Sequence, residues 1–151
     1  MRLTGRVDFA IRVTLEIAAH EGRTVSLREA AEAQDLPTDY VRALMRDLRR
    51  VGIVRSRRGY EGGYTLGPRP DQVSLADILR AIGEPLGGDD GAAGHQYPGV
   101  AAPLADVWAE LDGLQGRLLE SVTLADVLAA RATDRGLSRR ASALSKPPRV
   151  E

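Results

Sequence analysis

Across residues 38–66 the spacing of apolar side chains changes from about 3.6 residues to 2 at a single glycine, a junction that few architectures accommodate. Val41, Leu44, Met45, Leu48 and Val51 fall on one face of a helix that Thr38 can cap and Gly52 can stop. Immediately after it, Ile53-Val54 and Tyr64-Thr65-Leu66 have strand character on either side of a Gly-rich centre, the pattern of a β-hairpin. Two helices precede this unit. Residues 3–20 place Val7, Ala10, Ile11, Thr14, Leu15 and Ala18 on an amphipathic face, with His20 at its end as a partner for the helix dipole. Ser26 stands three residues before Glu29 in a capping box that opens a short helix, and Leu36-Pro37-Thr38 makes a tight break.

Three short helices followed by a hairpin are the order of a winged helix-turn-helix. The expected fold class is mostly α with a small β-hairpin wing and a long C-terminal dimerisation helix. Downstream, Ser74 and Asp77 form a further capping-box start, and residues 83–103 are a Gly/Ala/Pro-rich loop. From Leu104 to Ser121 the chain is helical again, with Val107, Leu111, Leu114 and Leu118 at 4-3-4 spacing. That stripe is too long for so small a domain to cover alone. Gly113 and Gly116 weaken the helix but let another backbone approach. Thr123 and Asp126 start a last short helix. The expected division is a DNA-binding domain over 1–82, a sensor or effector loop over 83–103, dimerisation and terminal helices over 104–135, and a disordered tail over 136–151.

The formal net charge of zero conceals a strong asymmetry. Residues 41–60 hold seven Arg against one acid, Asp47, whereas residues 71–135 hold 11 acids against four Arg. A basic half joined to an acidic half is the footprint of a localised phosphate-binding face. Asp39, Arg42, Arg46 and Arg49 line the outer side of the third helix, suited to a major groove. Arg55, Arg57 and Arg58 stand beside the Gly turn, suited to a wing on the backbone or in the minor groove. Double-stranded DNA is the implied partner.

Catalysis finds no support. There is no Ser/His/Asp constellation and no pair of carboxylates in a recognisable pocket, and the Gly-rich stretch 59–63 joins two strands instead of opening a helix around a phosphate. With no Cys, disulfides, zinc-thiolate sites and Cys nucleophiles are excluded, and two His leave no transition-metal site. The apolar runs are too short to cross a bilayer and residues 1–10 lack a signal peptide's apolar stretch, so a cytoplasmic location is expected.

Met1-Arg2-Leu3-Thr4, the segment LPTDYVRALMRDLRRVGIV, the hairpin RRGYEGGYTL and the segment VSLADILRAIGEP resemble the Rrf2 family of winged-helix transcriptional regulators. The resemblance implies a homodimer joined through the long helix and a palindromic promoter site, and the expected role is that of a repressor. By similarity Thr38, Tyr40 and Arg42 contact bases, and Arg58 enters the minor groove. Ser26, Arg28, Arg46, Arg49, Arg57 and Tyr60 complete the expected DNA-binding set. Arg42 stands where some members carry Glu, which shifts the preferred base towards guanine.

Sensing members of the family hold an iron–sulfur cluster with three Cys. The corresponding positions lie near Asp90, Gln96 and Ala102, none of them Cys, so no cofactor is expected. Asp8 occupies the place of a carboxylate cluster ligand in some relatives. On its own residues it reads as a first-turn acid favouring the helix dipole. Asp8, His95, Tyr97 and Trp108 are the candidate effector residues, for a small molecule or a protein. Two other readings stay open. One is a protein-interaction module of the same fold, regulated by a bound metabolic enzyme at the acidic half. The other is a cluster sensor whose cysteines were replaced by alanine, as the pairs Ala92-Ala93 and Ala101-Ala102 permit.

Overall fold

The computed structural model describes residues 4–86 and 97–132. His95, Asp90, Gln96, the pair Ala92-Ala93 and the expected tail over 136–151 lie outside them. The first helix, α1 (Gly5–Ala18), starts at Thr4, whose hydroxyl accepts the Val7 N–H at 3.3 Å. Its buried face is Val7, Ala10, Val13, Thr14, Ile17 and Ala18. The expected stripe was rotated: Ile11 and Leu15 are only half-buried, and Val13 and Ile17 take the centre. α1 packs against α2, α3, α4 and the hairpin together, so its apolar arc is wider than one stripe and its centre is set by those neighbours. Thr14 is buried without penalty because its hydroxyl donates to the Ala10 carbonyl at 2.7 Å.

Helix α2 (Leu27–Ala33) opens with the full capping box of Ser26 and Glu29. Helix α3 (Thr38–Arg50) does not start as expected, because Pro37 holds the cap position and Thr38 is the first helical residue. Val41, Leu44, Met45 and Leu48 are wholly buried, each contributing roughly 1.5–3 kcal/mol. Val51, expected on the same face, is 54% exposed. It lies one position past the last turn, where Gly52 (φ +82°) swings the chain away and delivers Ile53 into the core instead.

Strands β1 (Val54–Arg57) and β2 (Gly63–Leu66) pair antiparallel, with Val54 opposite Leu66 and Arg57 opposite Gly63. Val25, just before α2, adds an isolated bridge to Tyr64 through two backbone hydrogen bonds of 2.9 and 2.8 Å. Helix α4 (Leu75–Ala81) has the expected Ser74–Asp77 box. Burial acts to raise the Asp77 pKa, but the bonds from the Ser74 N–H and hydroxyl, with Arg80 nearby, outweigh it and hold the carboxyl below its ordinary value.

Helices α5 (Leu104–Ser121) and α6 (Leu124–Ala132) follow a single 3-10 turn at Gly99–Ala101. Sequence spacing sets α5 apart from the first 82 residues, yet its end is stitched into them. The Leu75 N–H donates to the Val122 carbonyl and the Leu124 N–H to the Val73 carbonyl, both at 2.9 Å. Leu119, Val122 and Leu124 are buried, and Leu119 and Leu124 join the cluster formed by α1, α3 and α4. The first half of α5 is different. Leu104, Val107, Trp108 and Leu111 are all exposed, whereas Leu114 and Leu118 on the same stripe are half-buried as the helix meets the body.

Candidate nucleic-acid interface

The outward side of α3 carries Arg42, Arg46 and Arg49, all exposed, with Asp39 in its first turn. Arg42 Nε lies 3.7 Å from Asp39, a loose surface pair that leaves the guanidinium available. Asp47, the one acid between residues 41 and 60, turns towards the body and pairs with Arg6 at 2.7 Å. The outward side of α3 is therefore more positive than the sequence count alone suggests. Arg49 Nη1 donates to the Ser56 hydroxyl at 3.3 Å, tying the end of α3 to the first wing strand.

The start of α3 is held from α1. Tyr40 meets Phe9 edge-to-face with ring centroids 5.5 Å apart. Arg12 lies 5.7 Å over the Phe9 ring, pairs with Asp8 at 3.2 Å and donates to the Gln34 side chain and the Gln34 carbonyl. Gln34 in turn donates to Glu16 at 2.8 Å. This network grips the turn between α2 and α3, where Asp35 adopts φ +53°, the one left-handed non-glycine among the described residues. Thr38 is exposed beside it.

Two of the expected DNA-binding residues already have structural employment. The Ser26 hydroxyl accepts the Glu29 N–H at 3.1 Å, and Arg28 pairs with Glu32 at 2.6 Å. The hydrogen bond to Glu32 raises the Arg28 pKa further above its ordinary value. Glu29 is held below its ordinary value chiefly by the hydrogen bond from Arg23. Both Ser26 and Arg28 remain at the surface.

On the wing, Arg55, Arg57, Arg58 and Tyr60 are exposed, Tyr60 completely. The turn end of the hairpin is fastened by the Val25–Tyr64 bridge and by the Thr24 hydroxyl donating to the Glu61 carbonyl at 2.8 Å. The glycines of the GGY motif are close-approach positions. A Cβ on Gly62 would lie 2.6 Å from the Arg57 carbonyl oxygen, and one on Gly63 2.6 Å from that of Val25.

Of the candidate effector residues, Asp8 sits on α1 in its pair with Arg12, and Tyr97 is half-buried at the approach to α5. Trp108 belongs to the exposed apolar stripe of α5. His20 behaves as expected, with Nδ1 2.8 Å from the Glu16 carbonyl at the end of α1. The residues present do not suit an iron–sulfur cluster: the chain has no thiolate to offer, and the Asp8 carboxylate is already engaged by a guanidinium. Arg6, Gln34, Ser56 and Val25 carry no local sequence signal, because their partners lie in other elements; of the partners of Arg12 only Asp8, four residues away in α1, is local.

A helix-turn-helix with an arginine-bearing second helix, braced against a basic hairpin, defines a winged-helix DNA-binding domain. Residues 3–130 match the profile of the Rrf2 family, described as "Iron-dependent Transcriptional regulator". A Mycobacterium tuberculosis protein bearing the name of an HTH-type transcriptional regulator is 37% identical over 130 residues, 84% of this chain and 81% of its own. Among solved structures, T. potens IscR superposes with a TM-score of 0.73 at 27% identity, covering 89% of this chain and 91% of that one. CymR, the global cysteine regulator of B. subtilis, gives 0.74 at 26% identity, covering 85% and 97%. The chain belongs to the Rrf2 family of DNA-binding transcriptional regulators. Among the described residues no helix is long and apolar enough to cross a membrane.

Proposed function

We propose that the chain is a cytoplasmic, homodimeric transcriptional repressor that reads a palindromic promoter site without a cysteine-ligated cluster. The observation carrying this reading is the set of exposed arginines, Arg42, Arg46 and Arg49 on α3 and Arg57 and Arg58 on the wing, with the two elements tied by the Arg49–Ser56 hydrogen bond. Arg42, near the start of α3, reads a base edge, while Arg46 and Arg49 meet phosphates further along. Arg58 enters the minor groove. Leu104, Val107, Trp108 and Leu111 form the contact with the second copy, which sets the spacing of the two recognition helices. DNA presents its two half-sites at a fixed helical separation, so tight operator binding depends on the dimer's geometry.

Fluorescence anisotropy of the purified chain against its own upstream DNA and a scrambled duplex, at two salt concentrations, tests the reading. Selective binding by the untreated protein is expected. Equal, salt-labile binding to both would count against it.

Two variants assign the residues. Arg42→Ala should relax preference at one base position per half-site and cost roughly 1–3 kcal/mol there. A uniform loss over all sequences would make Arg42 a phosphate contact instead. Arg58→Ala should weaken binding chiefly on sites with a narrow, A·T-rich minor groove, measured on matched duplexes differing only in that stretch. An unchanged preference between them would remove Arg58 from the groove.

A further inference from the structure

Hydrophobic packing holds α3 along one line: Val41, Leu44, Met45 and Leu48 are wholly buried on its inner edge. Such a seam resists separation better than it resists a small roll of the helix about its own axis, and a roll would re-aim every side chain on the groove side. Resistance to rolling needs tethers off the seam. On one flank Arg49 reaches Ser56 of the wing. On the opposite flank stands Asp47, 17% exposed and held by Arg6 Nη2 at 2.7 Å.

The same Arg6 nitrogen donates to the Ile82 carbonyl at 3.2 Å. Ile82 caps α4, and its carbonyl is one that a helix end leaves without an intrahelical partner. Arg6 therefore joins the start of α1, the flank of α3 and the end of α4, through partners 41 and 76 positions away in the chain. Beyond Ile82 the chain turns at Gly83 (φ +75°), and the Leu86 carbonyl accepts from Gln115 of α5 at 2.6 Å. The carbonyl that Arg6 grips is thus four residues from the point where the same segment is fastened to α5.

We propose that Arg6 is a positioning residue for DNA reading: through Asp47 and the Ile82 carbonyl it fixes the roll of α3 relative to the α4–α5 corner. The inference rests on the assignment of α3 as the recognition helix. It makes a prediction that simple charge does not. Removing the Arg6 charge would by itself weaken DNA binding, and removing the Asp47 charge would strengthen it. A positioning role makes both substitutions act in the same direction, on discrimination between duplexes.

The test selects a preferred duplex from a randomised pool with the wild-type chain. Its affinity is then compared with that of a scrambled duplex for Arg6→Met, Asp47→Asn and the double variant. Circular dichroism checks that each variant is folded at the working temperature. Each single variant is expected to reduce the selected-to-scrambled ratio about tenfold, and the double no further than either single. Three results would overturn the proposal. Arg6→Met weakening both duplexes alike while Asp47→Asn strengthens both would mean that charge alone acts. A lowered Tm with the ratio unchanged in both variants would make the pair a structural brace. Failure of the wild-type chain to select any duplex would remove the recognition-helix assignment itself, and this inference with it.

Discussion

The double variant Val107→Asp, Leu111→Asp is expected to be a folded monomer that has lost most of its affinity for a two-half-site operator. Both side chains are already exposed, at 54% and 47%, so a carboxylate there costs the isolated chain little. In a dimer the same carboxylates would be carried into an apolar contact with Leu104 and Trp108 and left without partners, at a cost of several kcal/mol. Loss of the dimer removes the effective concentration that couples the second half-site to the first, so operator affinity should fall by roughly 10²–10⁴-fold. Binding to a single half-site should barely change, because the α3 face is untouched. Light scattering reads the oligomeric state, and anisotropy on full-site and half-site duplexes reads the rest. A dimer that persists in the variant would place the interface elsewhere on the chain. Val107 and Leu111 suit this test better than Leu118, which is half-buried against the body and would confound association with folding.

Gly63→Ala should damage the wing from its turn end. The added Cβ would lie 2.6 Å from the carbonyl oxygen of Val25 and 3.1 Å from the Ser26 nitrogen, both backbone atoms with no rotamer to yield. Relief requires β2 to lift from the chain entering α2, which lengthens the 2.9 and 2.8 Å hydrogen bonds between Val25 and Tyr64. Overpacking of this kind costs roughly 1–3 kcal/mol, readable as a lower urea midpoint at unchanged m-value. The lifted wing should also carry Arg57 and Arg58 out of register with α3, so discrimination on A·T-rich flanks should fall together with stability. Wild-type stability and wild-type discrimination in the variant would show that the wing is not seated through Val25. The close approach also gives the GGY motif a physical reason: two positions where backbone meets backbone, followed by the aromatic residue that bridges to Val25.

What the sequence determined by itself was whatever depends on neighbours a few residues apart. The capping boxes at Ser26–Glu29 and Ser74–Asp77 form as read, and the Thr123–Asp126 start does too, with the Thr123 N–H donating to Asp126 at 2.9 Å. The bounds of α5 at Leu104 and Ser121, the hairpin after Gly52 and the Arg face of α3 were equally legible. These are set by hydrogen bonds three or four residues long and by side-chain period, both written in the local order of residues. Only the tertiary structure decided how those pieces meet. It chose Val13 and Ile17 over Ile11 and Leu15 for the centre of α1, because helices on several sides define what is inside. It paired Val122 and Leu124 with the chain at Val73–Leu75, and joined Asp47 on the flank of α3 to Arg6 of α1. Each of those outcomes depends on residues tens of positions apart coming within hydrogen-bonding or packing distance, and nothing in the order of neighbouring residues encodes that separation.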